Sequence, residues 1–374
     1  MRDADAVRAE WWVTFQAWAR TAYAALSRGP WRAGLAVLLT FGLALVGLAA
    51  TPRNGDGAQW ERIAGLTTAG AVHQVLAGQS DGEVLLYVAV ERWGLFRSAD
   101  EGRSWQRADG HLPLGRRGQA ALGLLAAAPD EPQLLLAAVE GPAAGGQPAV
   151  YKSRDGGVLW VPRRGLGVRD VEALAIAPGQ VAYAASGSRL YRSVDGGDTW
   201  LRAGSRPAAD AVLALAIDPE SGTVAIGTQG DGLWLTADRG ASWRSALAGG
   251  TVYAIGIGGA GRIYAGAGDG LYASADGGAS WQPVPMPEGA GPLVTLAVAP
   301  GSPDRLYAAP AGGPLYCSAD GGAAWQALRH TLLRSRVMAL AVDPRSPRRL
   351  YVGTQQGLWR CTLPAEVDYG RDAR

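Results

Sequence analysis

Carboxylates and arginines are the side chains whose placement in this 374-residue chain suggests chemistry. Asp100, Asp155, Asp195, Asp238, Asp276 and Asp320 recur in one fixed local setting, and Glu140, Asp170, Asp210, Asp231, Asp269 and Glu288 stand outside it. Two carboxylates flanking a glycosidic bond supply an acid together with a base or nucleophile, but the acids outside that setting read as solvated loop charges on the face opposite the repeats, and no catalytic residue is expected. Arginine carries a permanent, planar fork of donors suited to carboxylates and to protein surfaces. The chain has a single lysine, Lys152, and gathers Arg116, Arg117, Arg163, Arg164, Arg169, Arg206, Arg329, Arg334 and Arg336 in the stretches between repeat units. Cysteine and histidine offer less. Cys317 and Cys361 form no CxxC pair, and His73, His111 and His330 are scattered, so neither a metal site nor a cofactor is expected.

The elements that must position these groups follow from the repeat. SADEGRSW, SRDGGVLW, SVDGGDTW, TADRGASW, SADGGASW and SADGGAAW share the pattern Ser/Thr-x-Asp-x-Gly-x-x-Trp. An aspartate in a tight turn accepts hydrogen bonds from the backbone N–H groups just after it, and glycine supplies the positive φ that such turns use. Tryptophan is a large apolar plug with one polar handle. A group that recurs once per unit serves the fold, so the six box aspartates are structural and not catalytic. The leading aromatics are Phe96, Tyr151, Tyr191, Trp234, Tyr272, Tyr316 and Trp359, and the closing tryptophans are Trp60, Trp105, Trp160, Trp200, Trp243, Trp281 and Trp325. The two series are offset by one: Trp60 has no box before it and Trp359 has none after it.

Each unit also carries two earlier apolar runs, such as VMALAVDP and RLYVGTQ, bounded by turn residues. Four strands per unit at a period of about 44 residues read as propeller blades, because one sheet alone cannot bury its face. The expected fold is all-β: seven four-stranded antiparallel blades. Trp60 to Gly65 supplies the outer strand of the last blade, and Val337 to Leu363 its three inner ones. Such closure leaves short, protected edges.

The boxes, with blade openings such as APGSPDRLYAAP and DPRSPRRLYVGT, resemble those of Asp-box (BNR) repeat propellers over residues 58–363. That group mixes sialidases, xyloglucanase-type glycosidases, sortilin-type receptors and the photosystem II stability and assembly factors. A sialidase resemblance would require an Arg triad opening on Phe/Tyr-Arg-Ile/Leu-Pro and a Tyr/Glu nucleophile pair. Here Tyr191-Arg192 runs into Ser193, and Arg62-Ile63 into Ala64. Xyloglucanase-type enzymes look like two propellers forming a cleft, against one here. The assembly-factor resemblance implies a basic propeller surface holding a membrane-protein partner. The nine inter-unit arginines, in loops on the face opposite the boxes, are therefore expected to bind a protein partner without catalysis. A glycan-binding or glycoside-hydrolysing propeller is the alternative.

Residues 33–50, AGLAVLLTFGLALVGLAA, carry no charge, and as a helix they would measure about 27 Å, near the thickness of a bilayer core. Arg2, Arg8, Arg20, Arg28 and Arg32 precede them, which places the N-terminus in the cytoplasm and the propeller outside. The expected organisation is a cytoplasmic segment (1–32) with an interfacial amphipathic helix, a transmembrane signal anchor (33–50), a linker (51–57), the propeller (58–363) and a tail (364–374). A cleaved signal peptide is the competing reading of the same stretch. A seven-residue linker keeps the propeller close to the membrane and the box face nearer the bilayer. The formal charge of +2 is too small for a generic nucleic-acid binder. Cys317 and Cys361, in different box registers, are expected on opposite sheet faces and therefore unbonded.

Overall fold

The computed structural model describes residues 57–66, 70–80, 82–114, 121–140, 150–163, 166, 168, 171–204, 210–311, 313–328 and 336–364. The expected cytoplasmic segment, the membrane-spanning helix over 33–50 and nearly all of the linker and tail lie outside them. Among the described residues no helix is long and apolar enough to cross a membrane. The described architecture is all-β, interrupted by one 3-10 turn at Pro178–Gln180.

Seven four-stranded antiparallel sheets form the blades. Blade 1 runs over residues 72–107, blade 2 over 121–163, blade 3 over 173–202, blade 4 over 212–247, blade 5 over 252–284 and blade 6 over 293–328. Blade 7 closes the ring as expected: Val337–Asp343, Ser346–Thr354 and Gly357–Thr362 are completed by Gln59–Arg62 from the other end of the chain. Trp60 lies opposite Cys361 and Arg62 opposite Trp359 in that pairing.

Burial follows position in the blade. The second strand is covered on both faces by neighbouring blades, so it reads as a continuous apolar run; Val84 to Val90 are all buried. The outermost strands are short and solvated, as at Gln106–Arg107 and Leu201–Arg202. Apolar packing is divided among the seams. One cluster joins blades 7 and 1 through Ile63, Trp105 and Tyr351, another blades 1 and 2 through Leu85, Tyr87 and Trp160, and the pattern continues around the ring. Each box tryptophan thus plugs the seam before its own blade. Trp160 also donates its indole N–H to the Ala108 carbonyl of blade 1 at 2.7 Å.

Tyr87, Tyr183, Tyr264, Tyr307 and Tyr351 occupy one position on the second strands and are fully buried. Tyr264 and Tyr307 each donate a hydroxyl to a proline carbonyl of the following blade, Pro303 at 3.1 Å and Pro347 at 2.6 Å. Cys317 and Cys361 remain thiols, as expected, although lying on opposite sheet faces does not separate them. They belong to the same buried cluster between blades 6 and 7, because opposite faces of adjacent sheets look into one seam.

An up-and-down meander alternates its connections between two ends. The box turns therefore share one face with the hairpins joining first and second strands, and the interblade connections emerge on the other.

Candidate interaction surfaces

The box turn is a closed hydrogen-bonding unit. In blade 1 the Ser98 hydroxyl donates to Asp100 at 2.7 Å and accepts the Gly102 N–H at 2.8 Å, while the Ser104 N–H donates to Asp100 at 2.8 Å. The same core recurs in the other five boxes, with Thr236 in place of serine in blade 4. The two residues after each aspartate adopt positive φ, for instance Gly196 at 68° and Gly197 at 88°. Four boxes place glycine at the first of these positions; the exceptions are Glu101 at φ 61° and Arg239 at φ 60°.

Hydrogen bonds to the ionised form hold Asp100, Asp155, Asp195, Asp238 and Asp276 below the usual carboxylate range. The Ser104 hydroxyl and N–H bring Asp100 down to about 2. Burial pushes Asp195 upward, but Ser193 and Thr199 outweigh it and leave it at about 2. Ser242 and Ser280 hold Asp238 and Asp276 well below the usual range. A carboxylate held as an anion inside its own turn is a poor proton donor near neutral pH.

Cations bridge several seams on this face. The residue before the box serine in blade 2, Lys152, is fully buried and donates to the Asp195 carbonyl and the Asp198 carboxylate of blade 3, both at 2.8 Å. Arg154 and Arg163 meet the same carboxylate at 3.2 and 3.0 Å. Burial lowers the Lys152 pKa, opposed by its bond to Asp198. At the closing seam, Glu101 of blade 1 faces Arg345, Arg349 at 3.0 Å and Arg360 at 3.6 Å. Arg349 also reaches the fully buried Asp343 at 3.3 Å.

Of the nine arginines read from the sequence as partner-binding, Arg163 and Arg336 are described. Arg336 is exposed at the entry to the inner strand of blade 7, on the interblade-connection face. Arg163 is half-buried and directed to Asp198, so its charge is already committed within the protein. Arg116, Arg117, Arg164, Arg169, Arg206, Arg329 and Arg334 lie outside the described residues, as does Asp170. Among the remaining acids, the Asp210 N–H donates to Asp231 at 3.2 Å and Asp269 accepts the Tyr272 hydroxyl at 2.8 Å. Among the described residues no group of three or more His, Cys, Asp or Glu is arranged to hold a metal ion.

Sequence reasoning missed two features. A β-bulge recurs near the start of the inner strand, and the residue it displaces is His73 in blade 1, Leu213 in blade 4, Tyr253 in blade 5, Val294 in blade 6 and Met338 in blade 7. Bulges re-aim side chains, and Leu213 and Met338 are among the exposed large apolar residues. The second feature is a cavity of about 200 Å³ between blades 3 and 4, lined by Arg192, Arg202 and Arg239. The sequence signal for it was Arg239 inside the box TADRGASW, at a position that is glycine in four of its counterparts.

Among proteins of known structure, the propeller resembles YCF48 bound to a D1 peptide, with a TM-score of 0.62 and 17% identity over 82% of this chain and 97% of that one. It also resembles the GH74 xyloglucanase from Xanthomonas campestris, with a TM-score of 0.64 and 20% identity over 81% of this chain. This chain spans 53% of that enzyme. The WD40 repeats of RRP9 superpose with a TM-score of 0.60 at 13% identity, covering 82% of this chain and 97% of that one. At these identities the likeness is one of fold. No family model matches the chain, and none of the curated proteins does.

Proposed function

We propose that this chain is a non-enzymatic, membrane-anchored propeller that binds a protein partner and serves as an assembly or stability module for a neighbouring membrane complex. The observation that carries the reading is that the carboxylates the sequence repeats are all consumed in structural turns, which leaves the arginine-rich interblade stretches as the chemistry the sequence offers to a partner. YCF48, whose known structure holds a D1 peptide, is matched over nearly its whole length, as a one-propeller binding protein should be. The uncharged stretch 33–50 and the arginines before it support the anchor, with the propeller on the extracytoplasmic side.

The interblade arginines are the proposed contact surface. Arg164→Glu combined with Arg334→Glu tests it without disturbing the Arg163–Asp198 ion pair. Co-purification of the full-length protein with a membrane complex should fall with this double variant; undiminished association sinks the assignment. The fold likeness to the GH74 enzyme keeps a glycan-directed reading in view. Binding or cleavage of xyloglucan oligosaccharides by the purified propeller would replace the present one.

A further inference from the structure

Four blades carry a cation immediately before the box serine or its counterpart: Arg97, Lys152, Arg192 and Arg360. Three of these cations find acceptors in the next blade. Arg97 donates to the Asp155 carbonyl at 3.2 Å, Lys152 to Asp198 at 2.8 Å, and Arg360 faces Glu101 at 3.6 Å. Where further guanidinium groups join the cation, as Arg154 and Arg163 do at one seam and Arg345 and Arg349 at the other, a carboxylate of the next box sits among them.

The seam between blades 3 and 4 has the cations without the carboxylate. Arg192 stands where Lys152 stands one blade earlier. The box position of Asp198 is taken by Ala241, and that of Glu101 by Arg239. Arg192, Arg202, Arg239 and Ala241 line the cavity of about 200 Å³, and no acid lines it among the described residues. The Arg192 Nε is buried and has no hydrogen-bond partner among the described residues. The adjacent Asp238 is engaged by Thr236 and Ser242 of its own turn. Arg239 also holds a left-handed backbone, φ 60°, at a cost of about 1 kcal/mol or more relative to glycine. Guanidinium groups brought to one cavity repel one another unless an anion separates them.

We propose that this seam is a binding seat for a carboxylate presented by a protein partner, occupying the place that Asp198 and Glu101 fill from within at the equivalent seams. Those two residues define the ligand class, since carboxylates are what this chain itself sets among the corresponding cations. The inference rests on the reading of the propeller as a protein-interaction module, but it concerns the box face and not the interblade arginines.

The test is calorimetric titration of the full-length protein with an N-acetylated tetraglutamate peptide, free or amidated at its C-terminus, and with inorganic phosphate. Arg239→Gly supplies the residue that four other boxes carry, so the turn is retained. It should weaken peptide binding by about tenfold or more, the loss of one charge-assisted contact. Ala241→Asp should abolish binding and raise Tm by filling the seat from within. Equal affinity for both peptide forms assigns a side-chain carboxylate, and loss on amidation assigns a C-terminal one. Unchanged binding in both variants, no peptide binding by the wild type, or binding of phosphate alone overturns the proposal. Arg164→Glu with Arg334→Glu should leave this titration unchanged, so failure of the interblade surface and failure of this seat are read separately.

Discussion

Glu101→Gln removes the charge at the centre of the closing seam while keeping its shape. The Glu101 side chain is 20% exposed, and Arg345, Arg349 and Arg360 around it are 30%, 29% and 19% exposed. Exposed ion pairs contribute about 0.2–1 kcal/mol and breaking a buried one costs about 3–5, so a largely but incompletely buried cluster places the loss at about 2 kcal/mol. Asp343 stays with Arg349 in the variant, which keeps the loss from reaching the fully buried value. At roughly 2–4 °C per kcal/mol for a domain of a few hundred residues, Tm should fall by about 5 °C, read by circular dichroism. Glu101→Gly loses the same charge but relieves the positive φ of 61°, and should melt above Glu101→Gln. Burial pushes the Glu101 pKa up, but Arg349, Arg345 and Arg360 outweigh it and hold the carboxyl below its ordinary value. The folded state therefore gains stability from this group above the ordinary glutamate pKa and loses it as the pH falls through the depressed value. The gap between wild type and Glu101→Gln should close in acid. A melt within about 1 °C of wild type at neutral pH, against this ~2 kcal/mol expectation, would refute the reasoning.

Trp160→Phe leaves the Ala108 carbonyl without its 2.7 Å donor and should cost about 1–3 kcal/mol in chemical denaturation. Trp105→Phe should cost less, since the Trp105 indole N–H has no hydrogen-bond partner among the described residues; equal losses would show that only ring volume matters. Asp100, held at about 2 by the Ser104 hydroxyl and N–H, stabilises the fold above its ordinary pKa of 3.8, and that stability is lost as the pH falls towards 2. Ser104→Ala should move the acid-unfolding midpoint to higher pH, and an unmoved midpoint would show that the hydroxyl adds nothing.

The turn chemistry was legible because it is local. The groups that bind Asp100 lie within four residues of it, so six boxes written in the sequence became six equivalent turns. Blade count and ring closure followed from the unmatched Trp60 and Trp359, which now lie in adjacent strands of one sheet. Loop arginines were legible as a composition, but their charge states of use were not. Arg163, read as a surface cation, is drawn to Asp198 because the next blade brings that acid beside it.

By itself the sequence determined the period, the strand content, the box turns and the way the two ends complete one blade, since each depends on residues that are near neighbours or on a simple count. Only the tertiary structure decided which charges cancel. The ion pairs between blades join residues far apart in the chain, such as Glu101 with Arg349 and Lys152 with Asp198. The sequence holds Ala241 and Arg239 plainly, yet that they line one cavity with Arg192 and Arg202, with no acid among its described lining residues, emerges only when blades 3 and 4 are set side by side.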